Sequence, residues 1–155
     1  VEDGKVETFD FTFTPDALTA LTAGSVAAAL ISAEATHDVD TAMTLFAPDA
    51  VVTIATGEVF NTPDAIRAWQ QELADGNFHI EAVGRYVEGN TVHWTGDISL
   101  DLFRQMGIPS LGGVWTVTVG AGLVTSFDFA WTPEAGQMLQ QAFSAAAAPE
   151  ATASA

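Results

Sequence analysis

Thr91 to Asp101 alternates strictly, with Val92, Trp94, Gly96, Ile98 and Leu100 on one face of an extended segment and His93, Thr95, Asp97, Ser99 and Asp101 on the other. An imidazole and a carboxylate on one strand face are parts for proton transfer. His93 is the candidate general base, because histidine titrates near neutral pH. Asp97 stands four residues on, about 13 Å away along a strand. That is too far for a direct hydrogen bond, so a substrate would have to lie between the two. His93 and Asp97 are the candidate catalytic residues, with Thr95 between them as a polar anchor. The alternative arrangement packs the apolar set inward and leaves the polar set in water.

Other chemistries find fewer parts. His37, His79 and His93 lie on different segments without ligand-pair spacing, and the chain has no cysteine, so no metal site is expected. No Gly-x-Ser-x-Gly elbow is present. Gly120-Ala121-Gly122 is followed by a strand pattern, which makes it a hairpin turn rather than a phosphate loop. Arg67 follows Asp64 by three and is expected to pair with it on a helix surface. No cofactor is implied.

The elements that must position these residues follow from periodicity and punctuation. Thr14-Pro15 is an N-cap followed by a first-turn proline, opening an Ala-rich helix to about Thr36 with a potential break at Gly24. Asp38 starts a short second helix that Pro48-Asp49 ends, and Val51–Ala55 reads as a strand. Thr62-Pro63 repeats the cap device and opens a third helix with Ile66, Trp69 and Leu73 on one stripe. Strands are expected over 78–87, 91–103, 114–119 and 123–131, and a helix from Pro133 to Ala147. In the last strand Phe127, Phe129 and Trp131 share a face opposite Asp128 and Ala130, and serve either as core or as a ligand wall. The glycine-rich stretch Met106–Gly113, entered from Arg104, is a candidate lid. Helices followed by a long-stranded meander give an α+β class: a cone-shaped, curved antiparallel sheet with three helices packed on its concave face, a cystatin-like roll.

Twenty acidic residues against four basic ones give a formal charge of −16. Nucleic acid is excluded as a partner, since phosphate binding needs a basic stripe. Cationic ligands and basic partners stay open. The run Val26–Ile31 is broken by Ser32 and Glu34, so membrane insertion is not expected. Few lysines and many Ala and Thr lean towards a secreted or cell-surface setting.

The segment from Gly4 to Ala17 is echoed from Gly122 to Ala135, with Gly, Val, Phe-Asp-Phe, Thr-Pro and Ala at identical offsets. Residues 1–14 are therefore read as the closing strand of a preceding repeat unit, or as an added edge strand. Residues 15–142 form the domain, and 143–155 an Ala/Pro/Thr-rich linker or tail. The alternative to a tandem arrangement is two similar amphipathic strands in one domain.

Ala35 to Val52, Asn61 to Trp69 and Gly122 to Trp131 together resemble the nuclear transport factor 2-like superfamily, in its SnoaL-like and ketosteroid isomerase-like branch. The resemblance implies a cone with a deep apolar pocket, and pairing through the outer sheet face with a second copy or a tandem domain. It also turns the polar set of 91–101 inward. Positions that carry the base, the oxyanion donors or the critical Asp in catalytic relatives fall on Ile54, Leu30, Val114 and Phe129, all apolar. The expected function is a small apolar-ligand-binding or assembly module, with a pocket lined by Ile54, Trp69, Val114, Phe127, Phe129 and Trp131, and anchored by Thr95. The alternative is a lyase, isomerase or cyclase acting on a polyketide-, steroid- or terpenoid-like substrate, with His93 as base.

Overall fold

The computed structural model describes residues 12–147. Helix α1 runs unbroken over Pro15–Ala35, α2 over Val39–Thr44 and α3 over Pro63–Asp75. The Thr14 hydroxyl accepts from the Ala17 amide at 3.1 Å, and the Thr62 hydroxyl accepts from Ala65 at 3.2 Å. Each cap satisfies an amide that the first helical turn leaves free. Gly24 does not interrupt α1. By length and composition alone α1 is apolar enough to cross a bilayer, a test that the core helix of a globular domain also passes. In the fold its stripe of Ala23, Ala27, Leu30 and Ala33 is buried against the sheet instead. Small side chains on that stripe let helix and sheet approach closely.

Among the described residues six strands follow the order β2-β1-β6-β5-β4-β3, where β1 is Phe46–Thr53, β2 Val59–Phe60, β3 His79–Glu88, β4 Thr91–Ser99, β5 Leu111–Gly120 and β6 Leu123–Trp131. The sheet is mixed rather than antiparallel: β1 and β6 pair in parallel, and the other pairs are antiparallel. The chain leaves β1 through α3 and the β3–β6 meander, and returns beside β1 running the same way. Helix α1 lies against β3, β4, β5 and β6, and α3 against β1 and β2.

The register slips between Ala82 and Gly84 of β3, opposite Gly96 of β4. A Cβ on Gly96 would sit 2.6 Å from the Glu81 carbonyl oxygen, so glycine is required at that approach. Such bulges bend a strand and add twist.

Strand β4 ends at Ser99 rather than Phe103, because Asp101–Gln105 forms a short helix, α4, in which Arg104 pairs with Asp101. The expected lid is packed down: Ile108 and Leu111 are buried, and β5 begins at Leu111. Helix α5 spans Pro133–Ala147, the range expected from the sequence, and rests on β5 and β6, with Ala135 and Leu139 buried. The closing or edge strand expected within residues 1–14 lies almost wholly outside the described residues, and the tail after Ala147 lies outside them.

An apolar cavity with one carboxyl

Two helix ends and three strands enclose a cavity of about 160 Å³. Its wall begins with the inward side chains of β6, Phe127, Phe129 and Trp131, and with Trp115 of β5. Trp69 and Leu73 of α3 face them. The rings touch in sequence: Trp69–Phe127 at 5.3 Å, Trp115–Phe129 at 5.0 Å and Phe129–Trp131 at 4.7 Å between centroids. The first and last of these contacts are edge-to-face and the middle one is tilted, geometries that aromatic pairs favour over a face-to-face sandwich. Trp94, behind them, stacks on Trp115 at 5.7 Å and meets Phe127 edge-on at 6.3 Å. Ile54 and Thr56, after β1, complete one side.

Glu34 is the carboxyl in this wall. It continues the buried stripe of α1, standing four residues after Leu30 and seven after Ala27. Its side chain is 5% exposed, and the Gln70 amide of α3 donates to its Oε1 at 2.8 Å. Gln70 is 2% exposed, so the pair is sealed between the two helices. Burial disfavours the ionised form and pushes the Glu34 carboxyl up to about 7, with the Gln70 hydrogen bond opposing only in part.

Matching terminations fix the geometry around it. After α1, His37 adopts φ 57°, and Asp38 N donates to Ala33 O at 2.9 Å. After α3, Asn77 adopts φ 54°, and Phe78 N donates to Leu73 O at 3.0 Å. Both are left-handed helix closures that satisfy the final carbonyls. The His37 ring then ties them together, with Nε2 2.7 Å from the Phe78 carbonyl oxygen. Phe78 is thereby pinned into the cavity wall beside Glu34.

The sequence-derived candidates divide between the two sheet faces. Ile54, Trp69, Phe127, Phe129 and Trp131 line the cavity. His93, Thr95 and Asp97 do not. In β4 the apolar set Val92, Trp94 and Ile98 is buried towards the helices, and the polar set faces away. Burying these three apolar side chains gains several kcal/mol, whereas burying His, Thr and Asp without partners would cost as much. His93 stacks on Tyr86 at 4.6 Å and its Nε2 lies 3.4 Å from Glu88 Oε2, on the outer face. Val114 is also outside, 36% exposed, and its neighbour Trp115 takes the inward place. Arg67 pairs with Asp40 of α2 at 2.8 Å rather than with Asp64. Among the described residues no group of three or more His, Asp or Glu side chains is placed to hold a metal ion.

Glu34 is the functional candidate that sequence reasoning missed. It registers in the sequence only as a break in an apolar run. The signal lay in its phase, since a carboxyl at the fourth step of Ala23, Ala27, Leu30 must point where they point.

A sequence model described as a SnoaL-like domain matches residues 27–137. Among solved structures, a proposed ketosteroid isomerase from Kribbella flavida superposes with a TM-score of 0.64 at 18% identity, covering 73% of this chain and 79% of that one. A proposed SnoaL-like polyketide cyclase from Shewanella denitrificans gives 0.64 at 19% identity, covering 77% and 96%. An epoxide hydrolase/cyclase-like enzyme of pyran ring formation in salinomycin gives 0.65 at 15% identity, covering 74% and 94%. These identities establish shared fold alone. Comparison with curated protein sequences gives no match. With the sequence match spanning most of the chain and this fold around the cavity, the chain belongs to the SnoaL-like domain family.

Proposed function

We propose that this SnoaL-like domain binds one small, largely apolar molecule in the cavity between α1, α3 and the inner sheet face. The cavity itself carries the proposal: about 160 Å³, walled by aromatic and aliphatic side chains, with Glu34 as the single carboxyl among the described residues. A protein cavity of about 150 Å³ accommodates one benzene ring. The volume therefore suits a one-ring ligand, and a four-ring steroid or polyketide would have to project through the mouth.

Calorimetric titration with phenol and with toluene tests this directly. One-to-one binding, weakened at least tenfold by Phe129→Ala, is the expected outcome. No heat of binding from any one-ring probe at millimolar concentration would defeat the proposal.

A second reading is a proton-transfer enzyme, favoured by one observation, the buried carboxyl held near neutrality. In that reading Glu34 takes the place that the sequence assigned to His93. Turnover of an isomerisable one-ring enone, lost in Glu34→Gln and retained in His93→Ala, would establish it.

A further inference from the structure

Among the described residues the cavity wall holds a carboxyl and no basic side chain. A buried carboxylate without a cation is costly, so it either stays protonated or is paired by something that enters. Around it stand six aromatic rings, those of Trp69, Phe78, Trp115, Phe127, Phe129 and Trp131. The faces of such rings attract organic cations, most strongly when water is excluded. The whole chain adds a field of formal charge −16 that concentrates cations at its surface.

We propose that the preferred ligand is an organic cation, a one-ring amine whose ammonium group meets Glu34 and whose ring and alkyl stem lie against the aromatic wall. This rests on the ligand-binding reading above and names the ligand class within it.

The groups facing Glu34 leave that role to the ligand. From α3 the neighbour is the neutral Gln70 amide. From the turn after α1, His37 and Asp38 border the adjoining cleft, but the His37 ring is engaged by the Phe78 carbonyl and the Asp38 carboxylate by Thr41. From β3, Arg85 reaches α1 at the Gly24 carbonyl, ten residues or about 15 Å before Glu34. The strand side chains in the wall, including Ile98 and Trp115, are not titratable. Ammonium binding must therefore displace the Glu34 proton when that proton is present, and affinity follows the ionised fraction. With the carboxyl at about 7, that fraction rises roughly tenfold between about pH 6 and about pH 8.5.

The test compares 2-phenylethylamine with 2-phenylethanol, alike in shape and different in charge, by calorimetry in moderate salt. The amine is expected to bind at least about tenfold tighter than the alcohol at the higher pH, with its affinity falling about tenfold at the lower. The alcohol is expected to vary less than about threefold. Repeating the amine titration near neutral pH in buffers of different ionisation enthalpy should reveal release of about half a proton. Glu34→Gln should remove the amine's advantage and its pH dependence, bringing the two probes to within about threefold of each other, while retaining the surface acids that attract amines unspecifically.

Equal affinities for the two probes, or an amine affinity indifferent to pH in the native protein, would overturn the cation proposal and leave the apolar cavity standing. Binding of neither probe would overturn both. The native-protein pH series decides the matter even where Glu34→Gln fails to fold.

Discussion

The two faces of the central sheet are built from adjacent residues and do opposite things. On the inner face Trp94, Trp115 and Phe127 are at most 2% exposed and interlock ring against ring. One residue along each strand, His93, Thr116 and Asp128 form a cross-strand row on the outer face. That row is held by long polar contacts, such as Thr116 Oγ1 to His93 Nδ1 at 3.4 Å, and by the Tyr86–His93 stack. Chemistry-bearing residue types are more abundant outside, yet the enclosed volume and the shifted carboxyl are inside. Residue type alone is a poor guide to a site, because the environment sets a titratable group's properties, and Glu34 is raised by the exclusion of water.

The largest effect expected from breaking this contrast is Phe127→Ala. It removes a ring that contacts Trp69, Trp94 and Phe46, and should cost about 3–5 kcal/mol in chemical denaturation. Asp128→Ala, the next residue on the opposite face, should fall within about 0.5 kcal/mol of the native protein. Similar losses for the two would sink the assignment of faces.

Next comes Glu34→Gln, read as a pH profile of stability. The folded carboxyl, at about 7 against an ordinary 4.5, holds its proton more tightly than the unfolded one. Its favourable contribution is complete below about pH 4.5, declines as pH rises through about 7, and is constant above, a change of about 3 kcal/mol in total. The native protein should therefore lose stability relative to the Gln variant across that window. Parallel profiles would show that the carboxyl is solvated.

Gly113→Ala is smaller but aimed at the cavity wall. A Cβ there would stand 2.5 Å from Phe129 Cε2 and 2.9 Å from Trp115 Cη2, so both rings must move. About 1–3 kcal/mol of destabilisation and a change in near-ultraviolet dichroism are expected. The smallest effect belongs to His93→Ala, at under about 1 kcal/mol with ligand affinity unchanged. A large loss of binding in that variant would return the site to the outer face.

Much of the scaffold was legible in local residue patterns. Thr14-Pro15 and Thr62-Pro63 announce their helices because a side-chain cap and a proline act within one turn. The alternation in 91–99 and 123–131 correctly sorts each strand into two sets. Alternation does not say which set faces the helices, and the family resemblance chose the wrong one for His93, Thr95, Asp97 and Val114. The parallel pairing of β1 with β6 was equally hidden, since it joins segments more than seventy residues apart. The turn into α4 at Asp101 escaped notice because Leu100 to Phe103 continues an apolar pattern suited to either element.

The sequence by itself determined the α+β class, the capped helices, the aromatic stripe of β6 and the strongly acidic charge. Each rests on composition or on interactions that close within a few residues. Only the tertiary structure decided that Glu34 of α1, Trp69 of α3 and the rings of β5 and β6 share one cavity, and that His93 does not. Such meetings depend on which face each element buries, a choice set by the free energy of the whole packed domain. The shift of Glu34 follows from the same choice, since desolvation exists only once α3 and the sheet have closed over it.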